Sequence, residues 1–123
     1  MKQKLIFVVD DDEMTAHMLK EHLEERPNNQ VVIFKTGEEC LKKLNMLPDV
    51  IILDYQLNSI VPDAADGLHI LQQIKKLNKE VSVIMLSSQT EYGKAIQTIM
   101  KGAAEYVMKN QDAFKRIDNI LRR

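Results

Sequence analysis

The sequence predicts an α/β fold: doubly wound, with a five-stranded parallel sheet covered by helices on both faces. Three observations support this. Five short apolar runs (Leu5–Val9, Val31–Phe34, Val50–Leu53, Val81–Leu86 and Tyr106–Met108) are spread along the chain. They are rich in Val, Ile and aromatic residues, and three barely alternate with polar residues, as expected of strands buried on both faces. Between them, apolar residues recur at steps of three and four, the period of amphipathic helices.

The elements follow in order. After the first run, Met14, Met18, Leu19 and Leu23 give a first helix its apolar face. Pro27 punctuates the approach to the second strand. Thr36-Gly-Glu-Glu39 is a capping box, in which the threonine hydroxyl and Glu39 satisfy orphan amides as a second helix begins. That helix turns Cys40, Leu41 and Leu44 inward, and Pro48 precedes the third strand. Leu68, Leu71, Ile74 and Leu77 mark a third helix. Ala95, Ile96, Ile99 and Met100 mark a fourth, with Lys94, Gln97, Thr98 and Lys101 on its exposed side. Gly102 stands where a left-handed cap residue is expected. Phe114, Ile117 and Leu121 mark the fifth helix. The methionines follow these periods and are expected in the core, as is Cys40. Strand starts near 4, 30, 49, 81 and 105 are spaced by 26, 19, 32 and 24 residues, so the third unit is the long one.

Bulk properties narrow the function. At 123 residues the chain reads as one domain, residues 1–123, with no linker, repeat or low-complexity tract. A net charge of -1 gives no electrostatic case for nucleic acid or an anionic membrane. One cysteine forms no internal disulfide, and no run reaches the length of a membrane span. A soluble, cytoplasmic protein is the expectation. His17 and His22 are five apart, the wrong spacing for a helical metal pair, and His69 is solitary. All three histidines read as packing or surface residues.

In a doubly wound sheet, ligands bind beyond the carboxyl ends of the strands. The residues there are Asp10-Asp11-Asp12, Lys35-Thr36, Asp54, Ser87-Ser88 and Lys109. Adjacent carboxylates about 5 Å apart repel by roughly 3 kcal/mol at an effective dielectric near 20, so the cluster calls for a positive partner. Carboxylates from two strands make a hard oxygen site suited to Mg²⁺. An aspartate among them can attack phosphorus to give an aspartyl phosphate. A lysine and a serine hydroxyl at the same edge would stabilise the phosphoryl group.

Four motifs carry a resemblance: "VVDDDE", "IILDYQL" around Asp54, "VIMLSSQ" around Ser87 and "GAAEYVMK" ending in Lys109. Asp11, Asp54, Ser87 and Lys109 are separated by 43, 33 and 22 residues. Over essentially its whole length the chain resembles a response-regulator receiver domain of two-component signalling, the chemotaxis-receiver type. That resemblance implies the flavodoxin-like strand order 2-1-3-4-5. It implies that Asp54 is the phosphoacceptor, and that Asp11 is the main Mg²⁺ ligand, assisted by Asp10 through water and by the backbone carbonyl of Gln56. Lys109 would pair with Asp54 at rest and with the phosphate afterwards. Ser87 would be the switch hydroxyl and Tyr106 the switch aromatic, while Asp12 matches a variable position. The implied donor is a sensor histidine kinase or phosphotransfer protein. The implied output is a change in the surface formed by the fourth helix, fifth strand and fifth helix, felt by a partner or effector domain. Such a domain is not a turnover enzyme; it promotes its own phosphorylation and dephosphorylation.

The sequence departs from that pattern in three places. About five extra residues separate Asp54 from Asp66-Gly67, Asn110 replaces the usual proline after the lysine, and Ser88 stands where Ala or Gly is usual. No charged group of the site is lost. Ser87, Ser88 or Thr90 could instead cap the fourth helix. A haloacid-dehalogenase-type phosphatase would use Asp10 as nucleophile, but Met14 occupies its Thr/Val position and no cap domain fits. A flavodoxin-like flavin carrier needs a hydroxyl-rich phosphate loop where this chain has three aspartates. A receiver-like module that binds partners without phosphorylation is the remaining rival.

Overall fold

The parallel sheet is present in a computed structural model, which describes residues 3–57, 65–88 and 92–122. The elements run β1 (Lys4–Val9), α1 (Glu13–Leu23), β2 (Asn29–Phe34), α2 (Gly37–Lys42), a 3₁₀ turn (Leu44–Met46), β3 (Val50–Asp54), α3 (Gly67–Leu77), β4 (Ser82–Ser87), α4 (Tyr92–Met100), β5 (Glu105–Met108) and α5 (Ala113–Leu121). The strands lie in the order β2-β1-β3-β4-β5, and every neighbouring pair is parallel.

Alternation along the strands divides the core into two layers. Ile6, Val8, Ile52, Ile84 and Val107 pack with Ala16, Leu19 and Leu23 of α1 and Ala113 and Ile117 of α5. Phe7, Val9, Ile51, Leu53, Val83 and Met85 pack with Cys40 of α2 and Ile70, Leu71 and Ile74 of α3. Burial pushes the Cys40 thiol pKa up to about 12, which keeps it neutral within that layer.

Turn chemistry fixes the element ends. Thr36 Oγ1 accepts from the Glu39 amide at 3.2 Å, which is the Thr half of the expected capping box. Gly102 has φ 113°, and its amide bonds Ile99 O while the Ala103 amide bonds Thr98 O. This is a Schellman stop to α4. The third unit closes at its base: the Gly67 amide donates to Tyr55 O at 2.9 Å, and the Ala65 amide donates to the Glu38 carboxylate at 3.0 Å. The inserted stretch itself, 58–64, lies outside the described residues, as does Thr90.

Two helical faces differ from the sequence reading for the same physical reason. In α1 the inward positions are Ala16, Leu19 and Leu23, and Met14 and Met18 are 73% and 54% exposed. Two residues along a helix is a rotation of about 200°, so Met14 and Met18 fall opposite Ala16. In α4 the inward residue is Thr98, whose hydroxyl donates to Lys94 O at 2.7 Å, so a polar group is buried with its bond satisfied. Ile96 and Met100, two residues either side, are exposed, and Thr98 is not on the solvent side. The methionines are therefore mostly outside the core: Met46 is also exposed and Met108 half-buried, and Met85 alone among the described ones is fully buried. Leu77 is likewise exposed, one turn past the last inward residue of α3. His17 and His69 lie on the surface as expected, but His22 does more. Its Nε2 lies 2.7 Å from Asp118 Oδ2, which ties α1 to α5.

Candidate phosphoacceptor and metal site

The carboxyl ends of β1, β3, β4 and β5 bring the expected residues to one edge. β1 delivers Asp10 and Asp11, both 3% exposed, and the Asp10 amide is anchored on Phe34 O at 3.0 Å. Asp54 is the last residue of β3 and is 2% exposed. Its Oδ1 accepts from the Gln56 amide at 3.1 Å. Gly67 lets α3 start against this backbone: a Cβ there would lie 2.3 Å from Asp54 O and 2.6 Å from Tyr55 Cα. Ser87 is the buried last residue of β4, and its carbonyl accepts from the Lys109 amide at 2.7 Å.

Lys109 projects into the carboxylates, with its Nζ 3.1 Å from Asp54 Oδ1 and 3.5 Å from Asp10 Oδ2. Asn110 does not displace it. The Asn110 side chain accepts from the Asp112 amide at 2.9 Å, and its carbonyl accepts from Ala113 N at 3.0 Å. That Asx turn leads into α5 without a proline. Tyr106 is half-buried on β5, against the core layer that holds Met85. The described part of α4 begins at Tyr92, and the residues directly before it, 89–91, lie outside the described residues.

The triplet Asp10–Asp12 divides by role. Asp10 and Asp11 are buried, whereas Asp12 is the N-cap of α1 and accepts from Met14 N at 3.2 Å and Thr15 Oγ1 at 2.7 Å. The hydroxyl of Thr15, above all, holds the Asp12 carboxyl below its ordinary range. An aspartate directly before the first helical residue is itself a cap signal, and at this variable position that signal is what the side chain obeys. Two further contacts had no sequence signal. These are the His22–Asp118 pair and a bond of 2.9 Å from Ser88 Oγ to Gln56 Oε1.

Electrostatically the site is short of positive charge. Burial, and then the charge of Asp10, push the Asp54 pKa up to about 7, against the opposing pull of Lys109 and the Gln56 amide. For Lys109, burial disfavours the ammonium, but the carboxylates of Asp54 and Asp10 outweigh it and raise its pKa. Asp10, Asp11 and Asp54 each place a carboxylate oxygen within 4.8 Å of the others. Asp10 Oδ2 is buried without a hydrogen bond. Hard oxygens gathered this closely, one of them buried with only the 3.5 Å ion pair to Lys109 among the described residues, fit a small divalent cation such as Mg²⁺.

This fold and edge define a class of proteins: single-sheet domains with an acidic pocket and a conjugate lysine at the carboxyl end of the sheet. Residues 6–121 match the family model described as the response regulator receiver domain. The chain belongs to that family. It is 32% identical over 124 residues to the alkaline phosphatase synthesis transcriptional regulatory protein PhoP of Bacillus subtilis, covering 98% of this chain and 49% of that one. It is 34% identical over 113 residues to a protein-glutamate methylesterase/protein-glutamine glutaminase of Oceanobacillus iheyensis, covering 89% of this chain and 30% of that one. The chain thus spans half or less of the length of these relatives. Against the chemotaxis protein CheY of Listeria monocytogenes, at 29% identity, coverage is 85% and 84%. The response regulator domain of Thermotoga maritima CheB superposes with a TM-score of 0.80 at 28% identity, covering 98% of this chain and 92% of that one. A CheY-like receiver domain of Methanospirillum hungatei superposes with a TM-score of 0.84 at 25% identity, covering 98% and 93%. Among the described residues, no helix is long and apolar enough to cross a membrane.

Proposed function

We propose that residues 1–123 form one receiver domain that works as a phosphorylation-driven signalling switch, with Asp54 as the phosphoacceptor. The observation that carries this reading is the buried Asp54 carboxylate, 3.1 Å from Lys109 Nζ and within 4.8 Å of the oxygens of Asp10 and Asp11. A buried carboxylate with a raised pKa and an ammonium beside it is poised for chemistry rather than for stability.

In this reading a histidine kinase or phosphotransfer protein supplies a phosphohistidine. An Asp54 oxygen attacks phosphorus, the P–N bond breaks, and the imidazole leaves with the electron pair. Asp10, Asp11, Asp54 and the Gln56 carbonyl would hold Mg²⁺, which supplies charge neutralisation to the transferring phosphoryl oxygens. Lys109 then exchanges its contact with Asp54 for one with the phosphoryl group. Ser87, buried at the end of β4, donates its hydroxyl to another phosphoryl oxygen, and Tyr106 turns inward. Those moves bias the α4–β5–α5 surface toward a state with different partner affinity. A cytoplasmic location follows from this partnership. The outputs in the relatives' names, transcriptional regulation and glutamate methyl-ester hydrolysis, belong to those proteins.

Incubation with acetyl phosphate and Mg²⁺ should add the mass of one phosphoryl group, and Asp54→Asn should abolish the gain. No gain in the wild type, or a gain that survives the substitution, overturns the reading; the first outcome favours a module that binds without phosphorylation.

A further inference from the structure

Leu47, at the far end of the sheet from the carboxylates, is 72% exposed, and its backbone lies in the left-handed region at φ 58° and ψ 60°. Among the described residues it is the one non-glycine with a positive φ. A scattered exposed leucine is ordinary, but this one sits on a turn where glycine or asparagine would avoid the strain. Two more exposed apolar side chains, Met46 and Leu77, share its end of the molecule. Leu44 and Ile74, which precede them, are buried in one core layer, and α2 packs against α3. The leads into β3 and β4 are joined where Asp49 O accepts from the Ser82 amide at 3.4 Å. The surface around them is basic, with exposed Lys42, Lys43, Lys76 and Lys79 outnumbering Asp49 and Glu80. The outer face of α1 has the opposite charge. Met14, Met18 and Glu21 are all exposed and fall within about 60° of one another around the helix. Met18 and Phe114 of α5 form the apolar lining of an open cavity of about 200 Å³, which Glu21, His22 and Glu25 complete.

We propose that these two surfaces bind each other between copies of this chain. Leu47 of one molecule enters the Met18–Phe114 cavity of the next, and the lysines of α2 and α3 face Glu21 and Glu25. Charge selects a second copy as the occupant. The net charge of -1 leaves little overall repulsion between molecules, while the segregated charges attract across this contact. Charge also sets the geometry. Pairing either surface with itself would put lysine against lysine or glutamate against glutamate, so the contact runs head to tail. Each added copy leaves one surface of each kind free, so copies continue in a row unless the rotation between them closes a ring. Seating Leu47 removes its apolar surface from water, which gives the strained turn a use. One leucine and its basic surround make a small interface, and association through it is weak and concentration-dependent. The contact needs neither metal nor phosphoryl group, so it stands apart from the proposed transfer to Asp54.

Sedimentation equilibrium of the full chain, from micromolar to millimolar concentration and at low and high salt, tests this. The weight-average mass of the wild type should rise with concentration, and salt should weaken the rise. Leu47→Asn and Met18→Gln should each lower the association constant by at least about 10-fold. Asparagine accepts the left-handed backbone, so urea unfolding of Leu47→Asn should show no loss of stability, which separates the contact from folding. An equimolar mixture of the two variants decides the geometry. The Leu47→Asn chain keeps its α1 cavity and the Met18→Gln chain keeps its leucine, so the mixture should form a dimer and nothing larger. A wild type that stays monomeric throughout overturns the proposal. So does a mixture that stays monomeric, or an association that Leu47→Asn leaves unchanged. If the wild type stays monomeric but sediments with phosphatidylglycerol vesicles, and Leu47→Asn does not, the leucine serves a membrane surface and the contact between copies is overturned.

Discussion

Asp54 is where the site stores its cost. Its carboxyl titrates at about 7 instead of in the ordinary carboxylate range, because burial and Asp10 together outweigh Lys109. The sign of the stability effect follows from linkage. The folded state holds the Asp54 proton more tightly than the unfolded chain, so stability falls as pH rises from about 4 to about 7 and then levels off. Asn is neutral at every pH and nearly isosteric. Asp54→Asn in metal-free protein should therefore raise Tm at pH 8 and leave it nearly unchanged at pH 4. The gain should run at roughly 3–5 °C per kcal/mol recovered in a domain of this size. Thermal unfolding by circular dichroism at the two pH values checks this. An equal shift at both would trace the change to packing rather than to charge. By the same logic, a divalent cation held beside Asp54 would favour its carboxylate and pull its pKa back down.

At the scale of elements, two glycines make opposite predictions. A Cβ at Gly67 would meet Asp54 O at 2.3 Å and Tyr55 O at 2.8 Å, and backbone at that position cannot rotate away. Gly67→Ala should cost about 1–3 kcal/mol by overpacking, and it should slow phosphoryl uptake because the atoms displaced belong to Asp54, the proposed phosphoacceptor. Among the described residues, a Cβ at Gly93, in the first turn of α4, meets nothing within 4 Å. Gly93→Ala should stabilise by up to about 1 kcal/mol through helix propensity alone. Urea unfolding of both variants tests the pair. The strands and their edge residues were legible because a doubly buried strand has to be a continuous apolar run, and because acids and a lysine at strand ends have few other uses. Helix faces were less legible. In α1 and α4 two apolar sets share one helix, and periodicity alone does not say which set faces the sheet. Ala16 and Thr98, small residues of modest hydropathy, turned out to define the inward side. The Ser88–Gln56 contact was not legible at all, because it depends on how two loop ends converge in space. Its only trace in the sequence was an unusual residue beside Ser87.

For the whole molecule, stability becomes the readout of the site. β1 and β3 lie at the centre of the sheet and form part of both core layers, and their ends carry all three carboxylates of the pocket. A ligand on Asp10, Asp11 and Asp54 therefore stabilises the structure on both faces together. By mass action, Mg²⁺ at a hundred times its dissociation constant adds about 2.7 kcal/mol to the unfolding free energy. The triplet after β1 then separates into two measurable kinds of residue. Asp11→Ala removes a buried carboxylate of the pocket, so unfolding should lose its dependence on Mg²⁺. Asp12→Ala removes the α1 cap, whose acceptors hold Met14 N and Thr15 Oγ1. It should cost about 1 kcal/mol with and without Mg²⁺ alike, leaving the Mg²⁺ increment intact. Denaturant titrations of the wild type and both variants, with and without Mg²⁺, measure the increments. If both variants lose the increment, Asp12 belongs to the metal site and the division of the triplet is wrong. If neither does, the cation binds elsewhere on the domain, and the gathering of three buried carboxylates at one edge needs another explanation.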